Sequence, residues 1–193
     1  MGRNNFENMK EIIAENYLCF LALIEMILED LIGETYINQF YLAEYFGITV
    51  PHGCKTKIKN ICYSDIDREL GVHLDENKLN FFFEETGIPL RASYIYVNPF
   101  VENDIDNYQC NNLRENSYVV YTYSYGGLYG IPDLYEIGHV ALLDDVIGEN
   151  CIRIYDPGPK HYGYKEINRH VLYEAIRIIK GGIYVFKKDA ERM

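Results

Sequence analysis

Residues 15–32 read ENYLCFLALIEMILEDLI, and the rest of the chain is best understood from this stretch outward. Almost every position after Cys19 is apolar, and Glu25 and Glu29, four apart, form the one polar stripe. That pattern predicts a helix buried in the middle of a domain. Asn16 is placed to cap it, since an asparagine side-chain oxygen can accept from the first free backbone N–H groups. Cys19 then falls in the first turn, where unpaired N–H groups and the helix dipole favour a negative charge. A thiol there ionises more readily than a free one, and the thiolate is the nucleophile. A buried, inert cysteine is the competing reading of the same stretch.

Composition narrows the function classes. The chain has 193 residues, 48% hydrophobic and 24% charged, which suits one globular domain with a substantial core. Its net charge of −11 and pI near 4.9 argue against nucleic acid or an anionic membrane as partner. Five cysteines, odd in number and widely spaced (Cys19, Cys54, Cys62, Cys110 and Cys151), predict reduced thiols and a cytoplasmic location rather than a disulfide framework. The N-terminus has no secretory pattern, and the apolar run, interrupted by Glu25, is too short to span a bilayer.

The first half, to about residue 90, reads as helical. A polar lead includes a helical turn at 7–14, and a second helix covers 36–46, closed by Gly47. Residues 48–60 read as a basic loop, and a short capped piece starts at Ser64. A third helix covers 75–86, capped by Asp75. From about residue 91 the period changes. Strands are predicted at 91–98, 118–125, 138–146, 151–157 and 183–188, with a weak helix or turn at 103–116 and a surface helix at 168–179. Helices first and an antiparallel sheet after is an α+β arrangement within one domain spanning 1–193.

The hairpin at 138–157 supplies partners for Cys19. With its turn near Gly148, His139 and Asp156 are cross-strand neighbours to within one residue. A carboxylate at that range can hold an imidazole in one tautomer. A helix-terminal thiol, an imidazole and an orienting carboxylate are the parts of a cysteine hydrolase.

In order and texture the chain resembles the papain-like cysteine peptidase superfamily. Within it, the likeness is to the bacteriocin-leader peptidases that cut after double glycine, and to their stand-alone relatives. The matching stretches are NYLCFLALIEMILED, YINQFYLAEYFGITVP, GHVALLDD with IYDPGP, and AIRIIKGGIYVF. The resemblance implies a papain-like fold, with Cys19 as nucleophile, His139 as base and Asp156 as orienting acid. It implies no cofactor and no metal, and a peptide, protein or acyl-thioester substrate. Two departures stand out. Phe20 and Leu21 occupy the positions where the family usually has Gly-Pro, and Ile13 occupies that of the glutamine whose amide helps form the oxyanion hole. Isoleucine donates no hydrogen bond, so Asn16 becomes the oxyanion candidate beside the Cys19 N–H. Acyl transfer on the same site, or a degenerate domain that binds a peptide or protein without cutting it, are the alternatives.

The loop 124–137, SYGGLYGIPDLYEI, runs directly into His139, and its Tyr125, Tyr129 and Tyr135 are the candidates for substrate contact. The other polar clusters read as structural. His52, Cys54, Cys62 and His73 lack the close pairs of a zinc site, and GGLYG is no phosphate-binding fingerprint. His161 and His170 read as surface residues, and Asp144–Asp145 as a solvated strand end.

Overall fold

A computed structural model describes residues 9–96 and 117–189. Helix α1 (Cys19–Ile32) is the central helix the sequence predicts, and all of Phe20–Ile24 and Met26–Leu28 are buried. It is followed by α2 (Gln39–Phe46), β1 (Ile48–Val50), β2 (Ile61–Tyr63), α3 (Glu76–Glu85) and β3 (Leu90–Tyr96). The second half comprises β4 (Tyr118–Ser124), α4 (Tyr125–Tyr129), β5 (Gly138–Ile147), β6 (Cys151–Asp156), β7 (Gly163–Asn168), α5 (Arg169–Ile178) and β8 (Gly182–Lys188). The architecture is the expected α+β one.

Six strands form one sheet in the order β3-β8-β4-β5-β6-β7, every neighbouring pair antiparallel. The sheet is covered on both faces, which is why β4 reads as a near-continuous apolar run. Its Tyr118 and Val120 join Val140, Leu142 and Phe186 in the core shared with α1, α2 and α3. Its Val119, Tyr121 and Tyr123 point the other way, to a second core with Leu172, Ala175 and Ile176 of α5. Alternation is intact along the strand, but both faces are dry.

Several local expectations give way to tertiary structure. Asn16 does not cap α1: the N-cap position is Leu18, and no side chain caps this helix end. The cause lies one residue earlier, where Tyr17 takes φ 69° and turns the chain so that the helix starts late. Glu25 is not solvated. It is half-buried and accepts from the Gln39 N–H at 2.7 Å, closing the start of α2 together with Asn38, whose side chain accepts from Phe40 and Tyr41. Burial raises the Glu25 pKa, an effect opposed by that N–H.

Other differences follow from pairing the sequence pattern cannot supply. The predicted loop 48–60 starts with β1, which pairs in parallel with β2 just beyond it. The helical turn expected at 7–14 is absent among residues 9–14. The piece after Ser64 shrinks to a 3-10 turn at Asp67–Glu69. Strand β7 was not anticipated; it alternates between half-buried and exposed on the sheet edge. Asp144 is buried rather than solvated, paired with Arg153 at a bulge in the β5–β6 ladder. The weak helix at 103–116, and Cys110 within it, lie outside the described residues. No helix among the described residues is long and apolar enough to cross a membrane.

Because Leu23 has no exposed surface and lies in the core that joins α1 to the sheet, Leu23→Ala is expected to cost about 2–5 kcal/mol of stability. Urea unfolding of the two proteins, compared at constant m-value, checks this.

Candidate active site

The link that spacing alone leaves open is how the start of α1 meets the β5–β6 hairpin. The connection is the extended segment at residues 12–15. The Ala14 N–H donates to the Pro157 carbonyl at 2.8 Å, and the Tyr155 hydroxyl donates to the Ile12 carbonyl at 3.0 Å. On its other side, Gln39 holds the same segment with both ends of its amide. Its Nε2 donates to the Ile13 carbonyl at 3.1 Å, and its Oε1 accepts from the Glu15 N–H at 2.9 Å. The segment before Cys19 is thus bonded to α2 and to the residues next to Asp156. Sequence reasoning passed over Gln39. Its only signal is a polar residue at the start of an amphipathic helix, which any surface position would match.

Cys19, His139 and Asp156 come together at this junction. Register pairs Leu142 with Tyr155 after the bulge at Asp144, so His139 meets Asp156 diagonally rather than directly opposite. His139 Nε2 lies 2.8 Å from Asp156 Oδ1, which leaves Nδ1 as the other ring nitrogen, and Cys19 is near enough for its charge to act on the ring. Both residues are removed from water: His139 is 8% exposed and Asp156 0%. Two tyrosines grip the His139 ring edge-on, Tyr125 at 5.2 Å and Tyr123 at 5.6 Å between centroids.

The electrostatics favour a protonated His139. Burial works against a charged His139, but the Cys19 thiolate and the Asp156 carboxylate outweigh it and raise its pKa to about 10. Burial likewise disfavours the Asp156 charge, and the bonds it accepts win, holding its pKa below the usual carboxylate range. Those bonds come from His139, from the hydroxyl of Tyr129, from the Gly158 N–H at 2.8 Å and, more weakly, from the Tyr123 hydroxyl at 3.4 Å.

The remaining predicted residues occupy distinct places. Asn16 is exposed, at the wall of a cleft of about 750 Å³ that Tyr17, Leu18 and Phe40 also line. Of the loop tyrosines, Tyr125 lies against the His139 ring, Tyr129 turns its hydroxyl inward to Asp156, and Tyr135 is 40% exposed. His161 is not a plain surface residue: its ring stacks on Tyr129 at 4.4 Å with an interplanar angle of 17°. Among the zinc-type residues that were set aside, His52 pairs with Asp65 and Cys54 lines the cleft. Ile13, at the family's glutamine position, is 49% exposed.

No family model matches the chain, and no curated protein matches it. Its structure is similar to the crystal structure of a protein from Bacillus anthracis designated a C39-like peptidase. The TM-score is 0.60 at 13% sequence identity, over 98% of this chain and 100% of that one. A likeness of that extent at so low an identity speaks to the fold, and the fold of this chain is the papain-like one.

Proposed function

We propose that the chain is a cysteine hydrolase of the peptidase or amidase kind, working through Cys19, His139 and Asp156. The observation that supports this reading most is the His139 ring bonded through Nε2 to the buried Asp156 carboxylate, with Cys19 near enough to act on its charge. In the reaction, the Cys19 thiolate, paired with His139 imidazolium, attacks the carbonyl carbon of an amide or thioester. The developing oxyanion is met by the Cys19 N–H, one of the first-turn groups that no side chain caps. His139 passes its Nδ1 proton to the leaving group, and an acyl-enzyme remains. His139 then takes a proton from water as the water attacks, and the thiolate departs with restoration of the ion pair.

A peptide, protein or acyl-thioester substrate would lie over Cys19, with Tyr125 and Tyr135 as contacts from the loop into His139 and Asn16, on the wall of the cleft lined by Tyr17 and Leu18, as a second oxyanion donor. No cofactor or metal enters the scheme. Four free thiols among the described residues suit a reducing compartment, and we place the protein in a cytoplasm. A second reading has one observation in its favour. Ile13 offers no side-chain donor to the oxyanion, as expected of a domain that binds an acyl or peptide ligand without turning it over, or that passes the acyl group slowly to an amine.

Site-resolved alkylation with iodoacetamide, followed across pH by mass spectrometry, tests the ion pair. Cys19 is expected to react ahead of Cys54, Cys62 and Cys151 and to lose that lead in His139→Ala. His139 carries its proton below about pH 10, so the advantage over His139→Ala is expected to be largest at low pH and to fade as an ordinary thiol ionises, at roughly pH 8.5. Equal reactivity of Cys19 in the two proteins at every pH would sink the reading.

The oxyanion side is tested by adding what is missing. Ile13 is 49% exposed, so a longer polar side chain has room there. Ile13→Gln is expected to raise turnover of a peptide or thioester substrate by ~10²-fold without moving the alkylation profile. An activated Cys19 that turns over no such substrate, even in Ile13→Gln, would favour the binding domain.

A further inference from the structure

We propose that Tyr129 is a positioning residue, whose hydroxyl fixes the Asp156 carboxylate so that Oδ1 is presented to His139. The proposal rests on the reading of Cys19, His139 and Asp156 as a working triad, and assigns a task that the three residues cannot perform for themselves. The two oxygens of Asp156 are held differently. Oδ1 accepts from His139 Nε2 and from the Gly158 N–H, both at 2.8 Å. Oδ2 accepts from the Tyr129 hydroxyl and, more weakly, from the Tyr123 hydroxyl at 3.4 Å. A carboxylate can turn about its last torsion, which is broad and roughly two-fold. Tyr129 is the strong donor on the side away from His139, and so it is the group that stops that rotation.

A second hydroxyl supports the first. Tyr123 donates to the same Oδ2 at 3.4 Å, a weaker second donor on the side away from His139. In a dry site each of these bonds is worth more than in water. The groups facing Asp156 are therefore His139 from β5, Tyr123 from β4, and Tyr125 and Tyr129 from α4. Tyr155 from β6 adds its phenol, and Cys19 from α1 acts through His139.

The backbone around Tyr129 is built for the purpose. Helix α4 is only five residues long, capped by the Ser124 hydroxyl, which accepts from the Gly127 N–H at 2.9 Å and donates to the Tyr135 carbonyl at 2.7 Å. Gly126 packs directly on the returning loop: a Cβ there would lie 2.3 Å from the Ile131 carbonyl oxygen and 2.5 Å from the Leu134 carbonyl carbon. Outside, the His161 ring covers Tyr129 face to face. A helix this short is marginal in isolation, so its attachment to β4, the loop and His161 sets where the hydroxyl lies.

The test is proton NMR of the His139 Nε2–H, which gives a low-field resonance when bonded to a carboxylate, in wild type, Tyr129→Phe and, as a control, the exposed Tyr162→Phe. In Tyr129→Phe the resonance is expected to move upfield and broaden. The Asp156 carboxyl, followed by 13C shift and assigned with Asp156→Asn, should take its proton at a higher pH than in wild type. Tyr162→Phe should match wild type. An unchanged low-field resonance in Tyr129→Phe overturns the proposal, whatever the carboxyl does. In wild type itself, 13Cζ-labelled tyrosine should show a slowly exchanging Tyr129 hydroxyl proton. Free exchange of that proton overturns the proposal even if the variant does not fold. Failure of the hydrolase reading is a separate result, read from Cys19 alkylation, and leaves this resonance test intact.

Discussion

The structure depends first on a single buried charge. Asp156 has no exposed surface, and an isolated carboxylate in such a place would take a proton rather than pay the full loss of hydration. It stays ionised because donors reach it from β5, α4, β4 and the turn after β6. Each donor comes from a different part of the chain, so satisfying one carboxylate fixes where β5 begins, where β6 ends and where α4 packs. The next residue extends the same constraint, since the Pro157 carbonyl takes the Ala14 N–H and thereby anchors the approach to Cys19. A charge that would be a liability alone becomes the point at which the two halves are put in register.

The helical half answers with a neutral group of similar reach. Gln39 bonds two backbone positions of the segment before Cys19, and its own N–H is held by Glu25 from α1. The path therefore closes on itself: α1 fixes the start of α2, α2 fixes residues 13–15, and that segment leads back into α1. Tyr17 completes the loop in a left-handed conformation that costs a non-glycine residue of order 1–3 kcal/mol, a strain tolerated where the surroundings over-determine it. The result is a helix that begins at Cys19 itself, with no side chain competing for its first N–H groups.

How much of this could be read from sequence depends on the range of the interaction. Periodicity found α1, α3 and α5 to within a residue or two, because each carries its own apolar stripe and its own punctuation: Gly33 after α1, Asp75 before α3, Asn168 before α5. The hairpin was legible because turn and alternation are local, though the bulge at Asp144 shifted the register in a way that no pattern announces. Asn16 was misread because the cap rule assumes ordinary backbone leading into a helix, and Tyr17 breaks that assumption. The parallel pairing of β1 with β2 and the roles of Gln39 and Tyr129 were illegible for one reason. Each joins positions brought together only by the tertiary fold, through backbone pairing across a loop for β1 and β2 and through a side-chain polar contact for Gln39 and Tyr129.

The two halves of the proposed chemistry are supported unequally, and the imbalance is itself informative. The His139–Asp156 pair that would activate the nucleophile is buried, oriented and held by several independent bonds. The side that would receive the oxyanion has an open helix start and, at position 13, a backbone carbonyl already engaged by Gln39 with an isoleucine side chain facing outward. Nucleophile strength and oxyanion stabilisation act on different quantities: the first sets how readily the thiolate captures an acyl group, the second how far every tetrahedral intermediate is stabilised. A site strong in the first and lean in the second captures reactive acyl groups, thioesters above all, more readily than it cleaves resonance-stabilised amides. The side chain at position 13 carries no bond the fold depends on, so the balance between capture and cleavage can change there while the ion pair stays intact.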